Sequence, residues 1–341
     1  MPDSSERCPP GGARPDEEPA GIPAGSSSLS EEKTAEEKTA GESIGGEPSS
    51  GRTGWAPRPR AEILAELTQR GFQFRRRLGQ NFLFDPQLLE AFLDDAGVRE
   101  GERILEVGTG AGTLTERMLE RNLEVITAEI DPILIDFLAS RGAHPRLTVV
   151  AGDALGTKER LSPALLEALG DDNRPYRLVA NLPYAIATPL VMRLLAHDPR
   201  LAGVAALVQT EVAERWIARP GGKEFGPAAV LLEGFGRGKI TRRVPGHMFT
   251  PAPRIESSFY VWEPALGIDR GLLPGLLAFT RGLFLHRRKM LRAILRDRLV
   301  ETDPRWARAG VNPTQRPEEL TVDQIRALHS ECGEQQFPPG C

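Results

Sequence analysis

Between residues 103 and 209 the chain alternates short apolar runs with stretches of helical spacing. RILEVG (103–108), EVITAEI (124–130), LTVVAGD (147–153), RLVANLP (177–183) and GVAALVQ (203–209) each carry enough apolar positions for a buried strand, and TLTERMLERN (113–122) spaces its apolar residues as a helix does. Strand and helix in this rhythm predict an α/β fold, a doubly wound parallel sheet covered on both faces. Ahead of it, residues 61–70 predict a helix, and FRRRLGQNFLFDP (74–86) reads as a basic loop with aromatic residues on either side of Asn81. From about residue 265 only helical periodicity remains, including LLPGLLAFTRGLFLHRRKMLRAILRDRL (272–299), which predicts a small all-helical domain.

Composition adds a boundary at the N-terminus. Residues 1–50 hold 11 Asp/Glu, 4 Lys/Arg and almost no large apolar side chains, so they cannot offset the entropy of ordering. EEKTAEEKTA (31–40) could form a transient helix, but a solvated tail suits its low apolar content better. The expected division is an acidic disordered tail over 1–60, an α/β domain over 61–264, a helical domain over 265–332 and a flexible end over 333–341. The 341-residue chain has net charge −4, yet beyond residue 50 there are 39 Lys/Arg against 36 Asp/Glu, about +3. That balance permits a nucleic-acid partner without requiring one. Cys8, Cys332 and Cys341 have no metal-ligand spacing, so a reducing compartment and no metal are expected. With no run of 18 apolar residues and neither a signal-peptide nor a transit-peptide pattern, the expectation is a soluble cytoplasmic monomer without a membrane partner.

Ligands of such sheets bind beyond the carboxyl ends of the strands. Gly108, Gly110 and Gly112 in EVGTGAGTLT (106–115) follow the first of these strands and open a helix. A plain strand-to-helix turn could explain them, but two neighbours point to a ligand. Glu129, ending the next strand, can accept hydrogen bonds from ribose hydroxyls, and Asp153 in GDAL (152–155) is placed to meet an adenine edge. The spacing is GxGxG rather than the GxGxxG of a pyrophosphate cradle, so a nucleoside without phosphates, S-adenosylmethionine, fits better than a nicotinamide cofactor.

The sharpest signal is Asn181-Leu182-Pro183-Tyr184 after the fourth strand. The lone pair of an adenine amine is delocalised into the ring. If the Asn181 side-chain oxygen and the Leu182 carbonyl each accept one of its hydrogens, the nitrogen can turn tetrahedral and aim at a sulfonium methyl. Pro183 would fix the carbonyl direction, and Tyr184 offers a face on which the base can stack. Attack before proton loss needs no strong base, so positioning would carry the catalysis. An Asn-Pro turn after a strand is the plainer alternative.

LGQNFL (78–83), EVGTGAGTLT, EID (129–131), GDAL, NLPYAIATPL (181–190), QTEVAERW (209–216), FTPAPRIESS (249–258) and RRKMLRAIL (287–295) occur in the order found in the KsgA-type ribosomal RNA adenine dimethyltransferases, which the chain resembles over about residues 72–325. The resemblance implies a seven-stranded methyltransferase sheet, two S-adenosylmethionine molecules consumed per adenine, and two adjacent adenines near the 3′ end of small-subunit ribosomal RNA as substrate. It implies that Asn81 and Leu83 flank the methionine part of the cofactor and that Gly108 lies against its backbone. The matched motifs place Glu129 with Ile130 at the ribose, Asp153 with Ala154 at the adenine, and Asn181 against both cofactor and target. Phe249 would be a second aromatic wall opposite Tyr184, although a buried core Phe before a Pro-rich turn fits it equally well.

The chain departs from the family pattern at KEFGPAAVL (223–231), where Phe225 stands for a Tyr and Pro227 follows the Gly, and at Thr109, where Pro is frequent. The first departure is expected to alter RNA contacts or a loop position. Arg75, Arg76 and Arg77 form one basic cluster, and Arg288, Arg292 and Arg296, four apart, would form a row on one helical face suited to an RNA backbone. A solvated helix face is the alternative for any one of them. Three other readings stay open: a large-subunit RNA adenine methylase, a methyltransferase for DNA adenine or a protein glutamine, and an assembly factor that kept the fold without the chemistry.

Overall fold

The computed structural model describes residues 54–156, 160–266 and 269–333. The expectations for residues 1–50, for 334–341 and for Cys8 and Cys341 fall outside the described residues. Nine strands follow in chain order: β1 (Phe82–Leu83), β2 (Arg103–Val107), β3 (Glu124–Glu129), β4 (Leu147–Ala151), β5 (Tyr176–Asn181), β6 (Leu201–Gln209), β7 (Gly236–Val244), β8 (Phe249–Thr250) and β9 (Ser257–Pro264). Seven of them form one sheet in the order β4-β3-β2-β5-β6-β9-β7, parallel except for β9, which runs antiparallel to both its neighbours. The order reverses between β2 and β5, so the loops after these strands open a crevice at their carboxyl ends.

The strands from β2 to β6 fall where the apolar runs predict them, but β4 is an edge strand with only Val150 buried, and helix Thr113–Glu120 ends two residues before the predicted 122. β7 and β9 add the antiparallel edge. β9 is buried on both faces over SSFYVW, whereas β7 is the outer strand and exposes Arg237, Lys239, Arg242 and Arg243. Charge on an outer strand discourages pairing with another chain, and it also masks the strand in an apolar pattern.

Three expectations change. Trp55 is 3% exposed, so the chain is already folded ahead of residue 60, and the first helix is Arg60–Gln69. The periodic run 272–299 is not one helix. Helix Leu273–Leu285 ends in a turn over His286–Arg288, and a short helix, Leu291–Ile294, follows. The break has a cause: the Leu291 and Arg292 amides donate to the carbonyls of Gln315 and Pro313, and Arg287 reaches Glu318, so tertiary partners replace helical ones. Arg288, Arg292 and Arg296 therefore lie in a turn, in a helix and in the turn after it, not in a row on one helical face. Leu276, Leu283 and Leu328 belong to the same buried cluster as Leu190, Phe235 and Trp262 beside the sheet.

The two departures from the family pattern have local explanations. Phe225 is fully buried and meets Phe284 edge-on at 5.7 Å, while Pro227 occupies the first turn of helix Pro227–Phe235, where its missing N–H costs nothing. Thr109 is buried with its hydroxyl 2.5 Å from that of Thr127. No helix among the described residues is long and apolar enough to cross a membrane.

Candidate active site

One cavity opens at the carboxyl ends of β2, β3, β4 and β5, lined by residues 77–83, the glycine loop 106–111, Glu129, Ile130, Asp153, Ala154, Asn181 and Pro183. Every residue expected to hold the cofactor, from Asn81 and Leu83 to Asn181, is among its walls. The glycine loop can bend here because Gly108, Gly110 and Gly112 take φ values of 82°, 58° and 76°, a region that side-chain-bearing residues avoid. Space also demands glycine: a Cβ on Gly108 would lie 3.0 Å from the Pro183 ring, and one on Gly110 2.9 Å from Phe82.

Glu129 is the anchor of the loop. Its Oε2 accepts the Gly110 amide at 2.8 Å, and its Oε1 accepts the amides of Ile130 and Asp131, both at 2.9 Å. Burial raises the Glu129 carboxyl above its ordinary range, and the three amides work against that by favouring the charged form. Three of about four carboxylate acceptor positions are thus filled, so a grip on both ribose hydroxyls requires one amide to yield its place. Asp153 turns one oxygen to the Leu155 amide at 2.9 Å and stays exposed at the cavity wall; Ile130, an apolar side chain 46% exposed, lines the same cavity and offers a surface for a flat ring.

The reaction-centre residues sit at the end of β5. The Asn181 side-chain nitrogen donates to the Asn81 carbonyl at 2.8 Å, which fixes the amide and leaves its oxygen as the acceptor. The Leu182 amide is taken by the Leu207 carbonyl, and the Pro183 carbonyl by the Ile186 amide. The Tyr184 hydroxyl lies 3.1 Å from that of Ser257, which pins the ring; burial pushes this phenol upward. Phe249 is 3% exposed in β8, pairs with Leu83 across the two-stranded ribbon and belongs to the buried cluster containing Phe82 and Phe259. Neither it nor Tyr184 lines the cofactor cavity, so an adenine pocket between them would be a separate space.

The loop over the cavity is held from several sides. Thr113 donates to the Leu83 carbonyl at 2.8 Å, and Gln80 donates to Asp131 at 3.0 Å while accepting the Arg75 amide. Arg75 itself lies 3.7 Å from Asp131, so it has a partner within the chain; Arg77 is exposed at the cavity rim. Arg76 falls in the turn Arg76–Leu78, its side chain outside the described residues. Arg292 pairs with Glu301 at 2.5 Å, Arg296 lies 3.7 Å from Asp297, and Arg288 is exposed.

Gln80, Asp131 and Glu106 escaped the reading of the sequence. Asp131 precedes a proline, a helix-start signal, and it caps helix Pro132–Ala139. Glu106 lies inside the apolar run of β2, where periodicity treats it as an interruption. Fully buried at the cavity floor, it accepts the hydroxyls of Thr115 at 2.6 Å and Thr127 at 2.9 Å. Burial pushes this carboxyl up to about 7. The folded chain therefore keeps a proton that the unfolded chain releases near 4.5, and the stability this gives at low pH is lost as pH rises through about 7. In the cofactor-free protein, Glu106→Gln retains an acceptor for both threonines, so its melting temperature falls less between about pH 5 and pH 8 than that of the wild type. Parallel curves would contradict this. Glu116, also raised to about 7 by burial, leaves a residual slope in both proteins.

A model of the ribosomal RNA adenine dimethylase family matches residues 71–332. Among curated proteins, the chain is 31% identical over 283 residues to ribosomal RNA small subunit methyltransferase A of Alkaliphilus oremlandii, covering 80% of this chain and 96% of that one. It is 34% identical over 233 residues to the protein of the same name from Bacillus licheniformis, covering 66% and 77%. Among solved structures, a dimethyladenosine transferase from Plasmodium falciparum superposes with a TM-score of 0.58 at 22% identity, over 72% of this chain and 95% of that one. The 23S rRNA methyltransferase ErmE superposes at 0.53 and 21%, over 74% and 99%. These superpositions bear on the fold, a methyltransferase sheet with flanking helices. With the glycine loop, Glu129 and the Asn181–Tyr184 loop converging at one crevice of that sheet, the matched span covers the site as well as the fold, and the chain belongs to the ribosomal RNA adenine dimethylase family.

Proposed function

We propose that this protein uses S-adenosylmethionine to dimethylate the exocyclic amines of two adjacent adenines near the 3′ end of small-subunit ribosomal RNA, acting as a cytoplasmic monomer. The observation that carries the reading is the Asn181 amide, whose nitrogen is committed to the Asn81 carbonyl so that its oxygen is left to receive an amine hydrogen. The cavity fits the cofactor: a buried carboxylate at the end of β3, an apolar wall at Ile130 and an acid at Asp153 suit an adenosine without phosphates. Bound there, S-adenosylmethionine supplies the electrophilic methyl.

The residues of this chain supply orientation. As the adenine nitrogen forms its bond to the methyl carbon and the carbon–sulfur bond breaks, positive charge develops on the amine. The Asn181 oxygen and the Leu182 carbonyl stabilise that charge by accepting the amine hydrogens. One proton then leaves to water. The second round repeats the step on a singly methylated nitrogen, which has only one hydrogen left, so one acceptor suffices.

Small-subunit RNA is favoured over the large subunit by the curated relatives named above. The test offers undimethylated small and large subunits in competition. Transfer confined to small subunits supports the reading, and transfer to large subunits alone would overturn the substrate while keeping the chemistry.

RNA capture is assigned to the exposed arginines, Arg77 at the cavity rim and Arg288 in the turn after helix Leu273–Leu285, with Arg292 and Arg296 available if their carboxylate partners release them. Substituting Arg77 and Arg288 together by alanine reduces the slope of log binding constant against log salt by about 0.7 for each phosphate that the variant no longer neutralises. An unchanged slope in filter binding would remove both from the RNA surface.

A further inference from the structure

The matched family span begins at residue 71, yet folded chain precedes it. This leading segment is fastened to the back of the cofactor loop. Trp55 is buried, donates its indole N–H to the Gly142 carbonyl at 2.9 Å, and presents its ring to the Arg141 guanidinium at 4.4 Å. Arg141 has three committed nitrogens: Nε donates to the Gly54 carbonyl at 3.0 Å, Nη2 to the Ala56 carbonyl at 3.1 Å, and Nη1 to Glu116 at 2.5 Å. The bond to Glu116 is an ion pair whose side chains are 2% and 3% exposed.

Glu116 lies in the first turn of helix Thr113–Glu120, and its amide donates to the Gly112 carbonyl at 2.9 Å. Gly112 is the last glycine of the loop, and a Cβ there would meet Leu138 at 3.1 Å and Trp55 and Arg141 Nη1, each at 3.3 Å. One side of the loop therefore faces the cofactor cavity through Gly108 and Gly110, and at Gly112 it rests on Leu138, Trp55 and Arg141. A planar guanidinium held by two carbonyls, a carboxylate and an aromatic face has little freedom, so it transmits position rather than yielding.

We propose that the segment around Trp55 is a strap that sets the cofactor loop, with Trp55 and Arg141 as positioning residues for the S-adenosylmethionine site. This rests on the cofactor reading above. Neither residue lines the cavity, so their loss acts through the loop: the affinity for cofactor drops while the acceptors at Asn181 and Leu182, on another strand, keep their places.

The test uses the full chain and four proteins: wild type, Trp55→Ala, Trp55→Phe and Trp306→Ala. Trp306 is a comparably buried indole in the helical part, bonded to the Val300 carbonyl and remote from the loop in sequence. Each protein is assayed for equilibrium binding of S-adenosylmethionine, for KM and kcat with undimethylated small subunits, and for melting temperature. Trp55→Ala is expected to weaken cofactor binding and raise KM for it about tenfold, with kcat within about twofold. Trp55→Phe, which keeps an aromatic face for Arg141, restores most of the binding. Trp306→Ala lowers the melting temperature without moving cofactor affinity. If Trp55→Ala loses stability alone, as Trp306→Ala does, the strap is only structural and the proposal is overturned. Equal weakening by Trp55→Phe would also overturn it. A wild type that binds no S-adenosylmethionine would sink the cofactor reading and the strap together, whereas normal binding by both wild type and Trp55→Ala sinks the strap alone.

Discussion

Asn181→Ala lowers the rate of methyl transfer by about a hundred- to thousandfold, the size expected when one oriented hydrogen-bonding group is removed from a developing charge. Its side chain does two separable jobs. The nitrogen ties the end of β5 to the Asn81 carbonyl in the loop over the cavity, and the oxygen is the acceptor for the amine. Alanine removes both. Asn181→Asp separates them, because a carboxylate accepts from the amine but cannot donate to Asn81, so it should keep more of the chemistry than alanine while loosening the loop. Cofactor affinity is the control: it should fall by less than about tenfold in both variants, since Glu129 and the glycine loop are untouched. Loss of cofactor binding equal to the loss of rate would mean that Asn181 is a cofactor residue and not part of the reaction centre.

The second large effect is expected at Glu129. Its carboxylate organises three backbone amides, those of Gly110, Ile130 and Asp131, two of them from residues that border the cavity directly. Hydrogen bonds to a charged acceptor are each worth about 1.5–3 kcal/mol. Glu129→Ala leaves three amides to find water or go unmet and removes the acidic group that β3 presents to the cavity, so cofactor binding should weaken by about a hundredfold or more. Glu129→Gln keeps one acceptor oxygen and should lie between. Calorimetric titration with S-adenosylhomocysteine measures both, and near-normal affinity in the alanine variant would show that the ribose is held elsewhere.

How much of this was legible in the sequence depended on how local the cause was. Strands β2, β3, β5 and β6 announce themselves because a parallel strand covered on both faces must be apolar throughout, and β4, at the sheet's other edge, shows through its Leu, Thr and Val residues although only Val150 is buried. β7 does not, since an outer strand carrying Arg237, Lys239, Arg242 and Arg243 has no apolar stripe to read. The run 272–299 keeps helical spacing across a point where the carbonyls of Pro313 and Gln315 take over its amides, a competition between distant segments that periodicity cannot register.

The site divides in the same way. Gly108, Gly110, Glu129, Asp153 and Asn181 were visible because each lies at or just beyond the end of a strand. That Asn181 bonds to a backbone atom 100 residues earlier was not, nor was the burial that turns Glu106 from an interruption in a strand into a protonatable group at the cavity floor. Phe249 shows the limit of a motif: the sequence allowed a pocket wall or a core residue, and its burial and pairing with Leu83 are compatible with both.

The most direct test of the whole account is methyl transfer to its substrate. Small ribosomal subunits lacking adenine dimethylation are incubated with methyl-labelled S-adenosylmethionine and either wild type or Asn181→Ala, and the RNA is digested to nucleosides. Label in N6,N6-dimethyladenosine from the wild type, absent with Asn181→Ala, is the predicted result. Label in any other nucleoside, or none from a wild type that binds the cofactor, would contradict it.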